Sequence, residues 1–219
     1  MKKQHYIIIT PFFPTEESFV GPFIYDQAKA IAKQRNYEVS VVKLFHKGES
    51  QAYSYQGIKV HPVKIKDLPS FILPGLFMKQ NIKTVNKRLN EITGNDLNTI
   101  KYVHGHVTYA CGIIAVAVAD ATGAKSIVQH HGLDVMSYTN GCFQNKFLRK
   151  INRFWINSTH VSYLNKATLN VGVSQKTIDE LHKIKGYKPT QEYVLYNGVD
   201  TQKFYKQKMK KEKEIFQVI

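Results

Sequence analysis

Carboxylates are scarce in this chain, as are cysteines, tryptophan and long apolar runs. Asp and Glu together number 16 against 31 Lys and Arg, a formal charge of +15. For a soluble domain that excess implies an anionic partner: nucleic acid, anionic lipid headgroups or phosphorylated substrates. Part of it is a tail effect, because Lys203, Lys206, Lys208, Lys210, Lys211 and Lys213 crowd one short stretch. The two cysteines, Cys111 and Cys142, lie far apart, which argues against a disulfide framework and a thiolate zinc site and fits a reducing cytoplasm. No run approaches the roughly 20 apolar residues of a spanning helix. The opening Met1-Lys2-Lys3-Gln4-His5-Tyr6 passes into a strand-like run without a signal-peptide cleavage site. The expectation is a cytoplasmic protein. Gly21 is the one glycine in the stretch from Pro11 to Gly21, so the G-x-G-x-x-G loop of a dinucleotide oxidoreductase is missing.

What is present is an alternation of short β-branched runs with helical periodicities. Tyr6 to Thr10 reads as a buried strand, Pro22 to Arg35 as a helix with proline in its first turn, and Glu38 to Val42 as the next strand. The pattern continues with strands at Ile58 to Val63, Tyr102 to Gly105, Ser126 to His130, Leu169 to Val173 and Tyr193 to Tyr196. Helical segments lie between them: Gly75 to Ile92, Ala110 to Ala121 stopped by Gly123, Phe143 to Leu164, and a helix N-capped by Ser174. His131 to Asp134 reads as an irregular turn, and most of Phe45 to Leu76 has no clear class. This order predicts an α/β fold, Rossmann-like and doubly wound, with a mainly parallel sheet and helices on both faces. Residues 1–200 form that domain in this reading. Residues 201–219 form a lysine-rich linker ending in a fresh apolar run, the expected start of a second domain.

Ligands of such sheets bind beyond the carboxyl ends of the strands, and three loops there carry chemistry. Gly21 sits at a helix N-terminus, where unpaired N–H groups favour a phosphate; the alternative is that it only permits a tight turn. His104 and His106 share a strand face at i, i+2. With His130 and His131 they could be imagined around a metal, but no carboxylate or cysteine stands at ligand spacing, and no metal is expected. His104 reads as packing and His106 as open to substrate. In His130-His131-Gly132-Leu133-Asp134, His131 can donate to a leaving phosphate or a sugar hydroxyl, whereas His130 reads as strand packing. No Ser-His-Asp arrangement is evident.

In order along the chain stand Phe12-Phe13-Pro14 with Gly21, Asp26 to Ala32, Tyr37 to Val42, Val103-His104-Gly105-His106, Gln129 to Asp134, Val171-Gly172-Val173-Ser174 and Leu195 to Asp200 with Phe204. That succession resembles the N-terminal lobe of glycosyltransferase family 4, whose members are retaining enzymes of the two-lobed GT-B fold. One departure is Val20 where the family often has a second glycine. The resemblance implies transfer of a sugar from a UDP- or GDP-sugar to a glycan or lipid-linked acceptor, without a cofactor or metal. It implies His131 as the catalytic histidine near the transferred sugar and Gly21 facing the donor diphosphate. His106 and Asp134 become acceptor-side residues, and Asn197, Gly198 and Asp200 lead into an interdomain hinge. It further implies that the donor-binding lobe is missing and that this piece is inactive alone.

Two basic stretches, one with Lys79, Lys83, Lys87 and Arg88 and one with Lys146, Arg149, Lys150, Arg153, Phe154 and Trp155, have two readings. They could dock on anionic lipid, making the protein peripheral on the inner membrane face, or be solvated helix faces whose aromatics enter the core. A non-catalytic basic module binding nucleic acid or phosphorylated ligands is the rival function, though no recognition motif is found for it.

Overall fold

A computed structural model describes residues 3–34, 36–48, 50–68, 72–140 and 145–198. The chain runs β1 (Gln4–Thr10), α1 (Pro22–Lys33), β2 (Tyr37–Phe45), β3 (Tyr53–Tyr55), β4 (Ile58–Lys64), α2 (Met78–Thr93), β5 (Ile100–His106), α3 (Ile113–Thr122), β6 (Lys125–His130), α4 (Leu133–Asn140), α5 (Lys146–Thr159), α6 (Val161–Lys166), β7 (Leu169–Gly172), α7 (Gln175–His182) and β8 (Glu192–Val194). The strands form one sheet in the order β3-β4-β2-β1-β5-β6-β7-β8. Every pairing is parallel except β3 with β4, a hairpin closed by Gln56 and Gly57, both at positive φ. The expected α/β, doubly wound architecture is the one observed.

Alternation along the strands divides the core between the two faces. Ile7, Ile9, Val42 and Leu44 pack with α2, α3, α6 and α7, whereas Tyr6, Ile8, Val39 and Val41 pack with Ile24, Tyr25 and Ala28 of α1. Ile24 is 1% exposed, a burial worth about 2 kcal/mol on its own. Helix α3 is apolar nearly all round, with Ile113, Ile114, Ala115, Val116, Val118 and Ala119 buried, because it lies between the sheet and the helices α2 and α6.

Three local readings need correction. Leu133 and Asp134, read as the end of an irregular turn from His131, instead open the helix α4, with Gly132 at φ 97° and a backbone bond from Met136 to Gly132 turning the chain into it. The long helical region breaks at His160 into α5 and α6, because the buried His160 ring is held by Tyr138 and by the carbonyl of Pro74. The hairpin strand β3 lies inside the stretch left without a class. Residues 141–144, 199–200 and 201–219, with Cys142, Asp200, Phe204 and the lysine-rich tail, lie outside the described residues.

Candidate functional site

Strand order places the candidate site. β1 sits between β2 and β5, so the connections leaving β1 and β5 diverge and open a crevice at their carboxyl ends. The loop to Gly21, the turn after His106 and the turn after His130 all emerge at this edge.

Gly21 caps α1 at φ 80°, and a Cβ there would stand 3.0–3.1 Å from the side-chain and backbone atoms of Phe12. Glycine is therefore required twice, by conformation and by contact. No side chain caps α1, so its first turn opens into the loop with backbone N–H groups. Phe13 is buried beneath this loop and its carbonyl accepts from Lys43 Nζ at 3.2 Å, while Phe12, Phe19 and Val20 stay exposed.

On the α1 face of the sheet the apolar core gives way to polar rings near the carboxyl edge. Register pairs Tyr6 with Tyr102, Ile8 with His104 and His106 with Gln129. His104 and His106, two apart on β5, stack with centroids 4.4 Å apart, and Tyr6 Oη lies 3.0 Å from His104 Nδ1. His131 continues the array: its Nε2 lies 3.2 Å from His106 Nδ1, the two rings are 20° from parallel, and its other neighbour is the Phe23 ring of α1 at 5.1 Å. Burial pushes His104 down to about 4, partly opposed by Gln129. Burial, then His104 and His131, hold His106 well below the usual histidine range. Burial also lowers His131, with Asp134 opposing. All three rings are neutral near pH 7.

His130 points to the opposite face, as alternation demands. Its Nδ1 lies 2.8 Å from Thr108 Oγ1 and its Nε2 3.1 Å from Asn170 Oδ1. Asp134 ties the two turns together. Its Oδ2 accepts from Thr108 N–H at 2.7 Å and Thr108 Oγ1–H at 2.8 Å, and its Oδ1 accepts from His131 N–H at 2.9 Å. Between them, Val107 holds φ 67°, a strained setting for a β-branched residue.

The sequence-derived residues therefore divide. Gly21, His106, His131 and Asp134 converge on one edge, with Phe23 of α1's first turn bridging to His131. His106 is 0% exposed; it differs from the expectation of a substrate-facing ring because β5 lies deep between β1 and β6, and its contact with the site runs through His131. Asp134 already accepts three hydrogen bonds, so it braces the turns. Asn197 and Gly198 line a 330 Å3 cavity with Phe23, Asp26, Gln27, Lys29, Ala30 and Lys33 of α1, and Asp200 lies outside the described residues. Sequence reading missed Phe23, Thr108 and Gln129; Phe23 follows the Gly21-Pro22 pair at the mouth of the helix, a position that could have marked it. Among the described residues no group of three or more His, Cys, Asp and Glu is arranged to hold a metal.

A second apolar cavity of 560 Å3 lies between the 75–80 segment and α5–α6, lined by Leu76, Phe77, Met78, Trp155 and Tyr163 among others. It adjoins the same edge, because Tyr109 Oη, one residue beyond Thr108, accepts from Gly75 N–H at 2.8 Å.

A family model for glycosyltransferase family 4 matches residues 20–203. The chain belongs to glycosyltransferase family 4. Among solved structures it is similar to a sucrose-phosphate synthase of Thermosynechococcus elongatus, at 11% identity and TM-score 0.53, over 91% of this chain and 92% of that one; that likeness is one of fold. Arabidopsis thaliana UGT89C1 complexed with UDP matches at 14% identity and TM-score 0.45, over 88% of this chain and 52% of that one. An S. aureus MnaA–UDP co-structure matches at 15% identity and TM-score 0.44, over 93% and 48%. The chain thus spans about half the length of these last two. No curated protein matches it.

Proposed function

We propose that this chain is the N-terminal, acceptor-side lobe of a retaining, two-lobed GT-B glycosyltransferase that moves a hexose from a UDP- or GDP-sugar to a glycan or lipid-linked acceptor in polysaccharide, lipopolysaccharide or glycolipid synthesis. The observation that carries the reading is the meeting of the Gly21 helix mouth, Phe23 and a neutral His131 at the switch point of a family 4 domain. In this reading the described residues form the lobe, and Asn197 and Gly198 lead toward the hinge between the lobes.

The mechanism asks for positioning and for donors aimed at a departing diphosphate. The open N-terminus of α1 behind Gly21 supplies backbone N–H groups and a positive dipole end for that charge. His131 supplies a side-chain donor beside the transferred sugar, Asp134 fixes the turn that carries it, and His106 fixes its ring. None of these steps calls for a protein nucleophile, a metal or a cofactor. The apolar cavity beside α5 would take the hydrophobic part of a lipid-linked acceptor, and α5 would hold the enzyme at an anionic membrane surface. Alone, the lobe binds nucleotide sugar weakly and does not turn over.

The test is label transfer by the full-length protein, supplied with membrane lipid and radiolabelled UDP- and GDP-sugars. Label entering lipid or glycan from one donor is expected. Absence of transfer from both nucleotide classes would overturn the reading.

A further inference from the structure

Two ring nitrogens 3.2 Å apart, His106 Nδ1 and His131 Nε2, hold one proton between them. Two bare nitrogens repel and two N–H groups clash, so the tautomers of the neutral rings are locked to each other. There are two ways to place the protons. In the first, His106 donates from Nδ1, His131 accepts at Nε2, and the His131 proton sits on Nδ1. In the second, His131 donates from Nε2, its Nδ1 is bare, and the His106 proton sits on Nε2.

The surroundings of His106 separate the two. Its Nε2 is buried without a hydrogen-bond partner among the described residues. The adjoining His104 ring is stacked on it, 25° from parallel, and so offers a face instead of an in-plane lone pair. The amide of its register neighbour Gln129 makes no hydrogen bond with it. Buried N–H groups left without an acceptor are rarer in folded proteins than acceptors left without a donor, so the proton is assigned to Nδ1, where His131 accepts it. For His131, Nδ1 is not among the buried unpaired atoms, and among the described residues the ring's one hydrogen bond is made by Nε2. It is the nitrogen left to the crevice, while the Phe23 ring and the Asp134 bond to the backbone N–H hold the residue in place.

We propose that His106 is a positioning residue that fixes His131 as its Nδ1–H tautomer, so that the site presents a hydrogen-bond donor to an oxygen acceptor on the ligand instead of a bare, basic nitrogen. This deepens the reading of His131 as the ligand-facing histidine and rests on it. It also gives the buried His106 a role: an imidazole with both nitrogens in water favours the opposite tautomer, and a proton placed on Nε2 would leave His131 an acceptor on its open side.

The measurement is long-range 1H–15N correlation of imidazole nitrogens in the chain labelled with 15N-histidine, near neutral pH and without ligand, with His131→Gln assigning the His131 signals by their loss. His131 Nδ1 should resonate as a pyrrole-type N–H nitrogen and Nε2 as a pyridine-type one. His106→Asn, whose amide N–H stands where Nδ1 does, should keep that pattern. His106→Leu should shift His131 to a mixture dominated by Nε2–H. A His131 found as Nε2–H in the parent chain overturns the proposal, as does a pattern in His106→Leu unchanged from the parent. Should His106→Leu not fold, the parent and His106→Asn spectra still decide. Because no substrate is present, failure here is distinct from failure of the transferase reading, which activity alone tests.

Discussion

Gly21 carries two constraints at one residue, a left-handed backbone and a neighbour too close for a methyl group. Gly21→Ala should lower stability by about 1–3 kcal/mol, seen as a lower urea midpoint with an unchanged slope, and should displace the Phe12 backbone that faces it. A change within about 0.5 kcal/mol would mean that the loop is free to rearrange. At this scale the sequence was informative about identity and poor about depth. His131 and Asp134 could be picked out after a strand end, and Gly21 at a helix N-terminus. That His106 is sealed while His131 is not follows from the flanking of β5 by β1 and β6, a long-range pairing that no local pattern contains.

Among the elements, α5 shows how composition and placement part company. Its sequence holds four cations and no carboxylate, and only Asn152 and Ile156 are fully buried. Phe147 is 70% and Phe154 75% exposed, with Leu148 and Ile151 also exposed, so an apolar stripe faces outward beside a basic one. Of the two aromatics the sequence singles out here, Phe154 stays out of the core, whereas Trp155 turns inward to donate to the Pro74 carbonyl. An exposed stripe of this kind flanked by cations suits an anionic bilayer. Phe147→Ser with Phe154→Ser should abolish most co-sedimentation with anionic vesicles at low salt while leaving the fold intact; equal binding by parent and variant, or none by either, would remove this role. The same element explains a misreading. Its periodicity runs on past residue 160, and only the tertiary hold on His160 by Tyr138 and Pro74 reveals the break. The helix α4 was hidden for the opposite reason: Leu133 to Asn140 has a weak stripe, and the helix is set by the Gly132 turn and the Asp134 bonds.

For the whole molecule, buried neutral histidines make the fold acid-sensitive. His104 and His160 are each held at about 4, both chiefly by burial, against about 6.5 in an unfolded chain. Between those values the unfolded chain binds protons that the folded one does not. Their contribution is therefore complete above about pH 6.5 and is lost as pH falls toward about 4, on the order of 3 kcal/mol for each at the limit. Urea unfolding should lose roughly 3–4 kcal/mol between about pH 7.5 and about pH 5, and a flat profile would contradict the burial of these rings. The overall architecture was readable in advance because a doubly wound sheet writes itself as alternating periodicities. The site was readable only as a set of loops, since its assembly depends on strand order. The central claim is that His131, at the meeting of those loops, donates to the reacting sugar nucleotide. Turnover of His131→Ala in the full-length enzyme tests it most directly: a fall of about 100-fold or more with the fold intact is predicted, and turnover within about threefold of the parent would contradict it.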